Sequence, residues 1–144
     1  MRKATVLGLV AIVAAMSGLW AQGMSQEQGQ SSMNIQSVSW DRWLAAKAKA
    51  EEYDAGGNLV GALQYYLEYA RQAQGLNSPV RVAWGKNNAA YMIIKMHRQD
   101  PSVDLAPAKK LLEEGLAVPE ATEDCRKLMT MNLEHVKLCL GRTD

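Results

Sequence analysis

His135 and Cys139 are the residues of this chain best spaced for chemistry. Four positions apart on a helix, an imidazole nitrogen and a thiolate project from one face and can converge on a single metal ion. Two ligands do not complete a site. Neither His97 nor Cys125 has an evident reason to join them, so no metal is expected. Cys125 and Cys139 share a helix face but stand fourteen positions apart, which is ~21 Å at about 1.5 Å per residue. A disulfide needs Cα atoms within about 7 Å, and no glycine or proline lies between them to turn the chain back. Two core thiols are the expectation, with an intermolecular bridge or a reactive thiol as the alternative.

Other chemistry is not encoded in a recognisable form. The sequence has no glycine-rich phosphate loop, no Gly-x-Ser-x-Gly elbow and no His-Glu-x-x-His helix. Glu51-Glu52 and Glu113-Glu114 are adjacent pairs whose members point in different directions on a helix, so they read as solvated faces. A non-catalytic protein without a cofactor is therefore expected. Sixteen basic and fifteen acidic side chains give a net charge of +1. That balance offers no electrostatic reason for nucleic acid or an anionic membrane surface as partner. Phenylalanine is absent, so tryptophan and tyrosine must supply the large aromatic volume, each with a polar group to satisfy.

The first 23 residues read as a secretory signal peptide. Arg2 and Lys3 precede an apolar run from Val6 to Met16, and cleavage can follow Ala21 or Gly23. An uncleaved anchor is the competing reading, because the run is close to the minimum for spanning a bilayer. Export to the periplasm or medium is expected, with no membrane association after cleavage. Loss of Arg2 and Lys3 leaves fourteen basic against fifteen acidic groups, a charge of −1. Residues 24–39 form a linker rich in Gln, Ser and Gly, and residues 40–144 a single helical domain.

Five helices must position whatever the domain does. The spacing predicts helices over about 40–55, 59–74, from Pro79 onward, from just after Asp104, and over about 120–140. Ser39 and Asn58 are the expected caps of the first two, and Gly56-Gly57 and Gly75 their ends. The third helix is apolar on two sides: Val80, Ala83, Trp84, Asn87, Tyr91 and Ile94 on one, Val82, Ala89, Met92, Ile93 and Met96 on the other. Such a helix is packed on two sides or offers one to a partner. Cys125, Leu128, Met129, Asn132, Val136 and Cys139 are expected inward on the fifth. Asn87 and Asn132 interrupt apolar faces and need hydrogen bonds, which they can make to each other or to a bound peptide.

Ala50, Tyr53, Gly57, Ala62 and Tyr66 set small residues and tyrosines at the closest points of a helical hairpin. Trp84, Ala90 and Tyr91, followed by Ala108, Leu112 and Gly115, repeat the arrangement. This pattern resembles the tetratricopeptide repeat over roughly Trp40 to Glu120. It departs from it at Ala46 and Gln74, and in extra residues around His97–Ser102. The resemblance implies an all-α fold of stacked antiparallel hairpins in a short superhelix, binding another protein in a groove lined by the first helix of each hairpin. It places Val82, Gly85, Ala89, Met92, Ile93 and Met96 at the groove's centre. Leu44, Lys47 and Glu51 would form one wall, and Arg126, Thr130 and Leu133 the other. Two further outcomes stay open: neighbouring helices cover the central strip, or the strip pairs two copies as a homodimer. The lysine–asparagine carboxylate clamp of some repeats is not matched, since Glu51 and Gly85 occupy its positions. Tyr65 and Tyr69, one turn apart on the second helix, are either contact residues for a partner or partly exposed packing residues.

Overall fold

The computed structural model describes residues 37–141. The expected signal peptide and most of the expected linker lie outside the described residues. Five α-helices and no strand occur among those described: α1 Trp40–Ala55, α2 Leu59–Gly75, α3 Pro79–Gln99, α4 Ala106–Leu116 and α5 Glu123–Leu140. Each packs on the next, and α3 also touches α5. The result is an all-α stack of antiparallel hairpins.

Local chemistry sets the helix ends. The Ser39 hydroxyl accepts from the Arg42 amide at 3.2 Å and the Asn58 side chain from the Gly61 amide at 2.9 Å, each satisfying a first-turn N–H. Gly57 turns the first hairpin at φ +77°, a left-handed conformation that glycine adopts at little cost. Pro79 opens α3, but the Ser78 hydroxyl accepts from the Arg81 guanidinium at 3.0 Å and makes no side-chain cap bond. The fifth helix begins at Glu123, later than expected, because Thr122 caps it through the Cys125 amide at 3.3 Å. The extra residues between α3 and α4 form a closed turn. His97 Nδ1 meets the Val103 carbonyl at 2.8 Å, and the Asp100 carboxylate accepts from the Ser102 amide at 2.9 Å.

The compact unit starts at Val38, two residues before the expected boundary. Val38 lies tight against Gly75. The Ser39 amide donates to the buried Gln72 side chain at 3.0 Å, and Gln72 donates in turn to Glu68 at 2.8 Å. Arg71 grips the Glu68 carboxylate through two bonds of 2.7 Å, which holds that carboxyl below the usual range. A polar residue at zero exposure is thus fully engaged, as burial requires.

The apolar interior has two parts. Ala50, Leu59, Ala62 and Tyr66 of the first hairpin close on Ala89 and Met92 of α3. Ala83, Ala90, Ile93 and Ile94 of α3 pack with Leu105, Ala108 and Leu112 before and along α4, and with Cys125, Met129, Leu133 and Val136 of α5. Small residues on facing helices bring the backbones close, so most of the buried volume comes from a few large side chains. Asp54 pairs with Lys95, tying α1 to α3, and Lys86 pairs with Glu114, tying α3 to α4.

Candidate protein-binding surface

The centre of the expected groove is core. Gly85, Ala89, Met92 and Ile93 are buried, while Val82 and Met96 are partly covered. The strip Gly85–Ala89–Met92 faces the first hairpin: Gly85 abuts Tyr69 and Ala70, and Met92 enters the cluster around Tyr66. Val82 and Ile93 turn instead toward two shallow clefts between the α2 and α4 sides of the molecule. One, of about 340 Å³, runs along Gln74, Pro79, Val82 and Val118; the other, of about 360 Å³, along Leu63, Leu67, Ile93 and Leu111. The expectation of an open groove on this strip is therefore corrected. Helix α3 packs against α2, α4 and α5, and that packing buries Gly85, Ala89, Met92 and Ile93.

A third side of α3, between the buried strip Gly85–Ala89–Met92 and the buried residues Ala83, Ala90 and Ile94, is the open one. Arg81, Trp84, Asn88, Tyr91, Lys95 and Arg98 recur at three and four positions, which places them along one helix face. Every one is exposed or partly exposed, and Tyr91 retains 37% of its surface. One edge of this face meets α1. The Arg81 guanidinium lies 5.0 Å from the Trp40 ring and 5.0 Å from the Trp43 ring, and Lys95 pairs with Asp54 a few turns on. The other edge meets α5, where Asn132 donates to the Asn87 carbonyl oxygen at 3.1 Å. The two asparagines satisfy each other across the helix interface, and Asn87 also donates to Asn88 at 3.3 Å.

The walls also need revision. Leu44, Lys47 and Glu51 lie on α1, between the tryptophans that Arg81 contacts and the Asp54 that pairs with Lys95; Leu44 is exposed, and Lys47 bonds Glu51 at 2.6 Å. Arg126 and Leu133 do not join them. Arg126 gathers four carbonyl oxygens after and at the end of α4: Leu116 at 3.0 Å, Val118 at 2.6 Å, Pro119 at 2.9 Å and Ala121 at 3.1 Å. These carbonyls include one left without a partner at a helix end, and a guanidinium satisfies several at once. Arg126 thereby turns its edge of α5 toward α4. Leu133, seven residues on, is buried, Leu128 is exposed where burial was expected, and Thr130 faces solvent.

The stripe that sequence reasoning missed carried a usable signal. Trp84 and Tyr91 were assigned with the apolar side, yet Arg81, Lys95 and Arg98 share their helical angle. Three cations in register with two amphipathic aromatics mark a solvent-facing surface. The aromatic bodies border the core, and Lys95 and Arg98 lie 5.7 and 6.0 Å from the Tyr91 ring.

His135 Nε2 and Cys139 Sγ are 3.8 Å apart, and among the described residues no group of three His, Cys, Asp or Glu side chains could share a metal ion. Both cysteines are free thiols, and burial pushes the Cys125 thiol above its ordinary range, away from the reactive thiolate. Among the described residues no helix is long and apolar enough to cross a membrane.

The class defined by this geometry is an all-α stack of helical hairpins with one aromatic and cationic helix face left open. No family model, curated protein or solved structure matches the chain.

Proposed function

We propose that the chain is an exported, non-catalytic adaptor of the tetratricopeptide-repeat-like kind, acting in the periplasm or outside the cell. It binds another protein of the envelope on the face shared by α1 and α3. The observation that carries this reading is the stripe Arg81–Trp84–Asn88–Tyr91–Lys95–Arg98, which runs the length of the longest helix with every member exposed or partly exposed. Exposed Trp40 and Leu44 of α1 extend its apolar part. Aromatic and arginine side chains concentrate binding energy at protein interfaces, since both offer large contact area and directional polar groups. Arg98 has no carboxylate partner among the described residues, so its charge is available to one on the partner.

Combining Tyr91→Ala with Arg98→Glu is expected to weaken partner binding at least ten-fold, the loss of roughly 1.4 kcal/mol or more of contact energy. Thermal melting should change little, because both residues are exposed. Affinity capture from the native envelope, with identification of the captured proteins, checks this. Recovery of the same proteins in the same yield by the double variant removes the proposed surface.

A further inference from the structure

α5 is the last helix among the described residues, and its outer side carries exposed apolar side chains. Here Leu128, Met131 and Leu138 are 43%, 57% and 63% exposed. They stand three and seven residues apart, so they form a strip along the free side of the helix, away from the buried residues Cys125, Met129, Leu133 and Val136. The charges beside the strip are equally unengaged. On α1 and α4, Lys47, Lys49, Lys109 and Lys110 each pair with a glutamate three or four positions along. On α5, exposed Lys127 and Glu134 have no ion-pair partner among the described residues, and at seven positions apart they are about 10.5 Å from each other along the axis, too far to pair.

We propose that this strip is the contact surface of a homodimer, in which the α5 helices of two copies lie antiparallel about a two-fold axis beside Met131. A two-fold contact must be self-complementary, and this strip is. An axis at Met131 sets that residue against its own copy. It also brings Lys127 level, to within one residue, with the partner's Glu134, and Glu134 with the partner's Lys127. Both charged residues lie on the same flank of the apolar strip, and in antiparallel helix pairs like flanks face each other. In a parallel arrangement like flanks lie on opposite sides of the seam and the two charges do not meet, so only the antiparallel one pairs them. One helix per subunit makes a small interface, below about 1,200 Å² in total, the size class of weak, transient contacts. This contact is separate from the α1–α3 face, and its failure would leave that reading standing.

Sedimentation equilibrium of the purified full chain between roughly 1 and 200 μM tests the dimer over the range such an interface implies. A monomer–dimer equilibrium is expected. Lys127→Glu and Glu134→Lys should each weaken it roughly ten-fold, because each reverses two symmetric pairs at once. The double variant K127E/E134K should return toward the original affinity, since the exchanged charges again oppose each other across the axis. Met131→Asp should leave a monomer that melts normally. A chain that stays monomeric throughout, or a dimer indifferent to the single charge reversals, or no recovery in the double variant, overturns the proposal.

Discussion

Met92→Asp is expected to abolish cooperative folding, not merely partner binding. Met92 is 2% exposed and packs among Ala50, Leu59, Ala62, Tyr66 and Ala89 where α3 meets the first hairpin. Truncating such a side chain costs about 2–5 kcal/mol through lost apolar contact and the cavity left behind. An aspartate adds the cost of burying a carboxylate, and no cation belongs to that cluster. Against a total stability of about 5–15 kcal/mol for a domain, the combined loss is decisive. Thermal circular dichroism should show either no cooperative transition or a midpoint lowered by roughly 20 °C or more. A variant that melts like the original would mean that Met92 faces solvent, and the packing of α3 described above would be wrong.

Gly85→Val should also be severe, through excess volume. A Cβ at position 85 would stand 2.6 Å from Tyr69 Cδ1, 2.8 Å from Ala70 Cβ and 3.0 Å from Ala70 Cα. The tyrosine ring can shift, but the Ala70 backbone moves only if α2 and α3 separate. Overpacking of this kind costs about 1–3 kcal/mol for small additions, and valine adds two further methyl groups. Better helix propensity offsets less than about 1 kcal/mol of that. A net loss of roughly 3 kcal/mol, read from the urea midpoint, is therefore predicted. Gly115→Ala provides the contrast. Its new Cβ meets the Met129 sulfur at 2.5 Å, the movable end of a flexible side chain, so a smaller loss is expected. Equal stability of G85V and the parent would show that the two helices do not meet at this glycine.

The helices were legible because their ends are written in single residues. Ser39, Asn58, Gly57 and Pro79 fix boundaries by local hydrogen bonding and backbone freedom, and these effects need no knowledge of the tertiary fold. Facing was harder. Helix α3 is apolar over most of its circumference because three helices cover it, so periodicity alone could not say which side stays open. The cations at 81, 95 and 98 decide that, through the cost of burying them. Helix α5 was ambiguous for another reason: Leu128 and Leu133 are the same residue type. Leu133 joins Cys125, Met129 and Val136 in the core while Leu128 stays exposed, a distinction made by tertiary packing. The Asn87–Asn132 bond was foreseeable, since two polar breaks in apolar faces of neighbouring helices must be satisfied somewhere.

The central claim is that the Tyr91 side of α3 meets a protein partner. Site-specific photocrosslinking in the native cell tests it most directly, with a benzophenone side chain at position 91 or, for comparison, at exposed Val60 of α2. The account predicts a discrete protein adduct from position 91 and none from position 60. An adduct from position 60 with none from position 91 would contradict it.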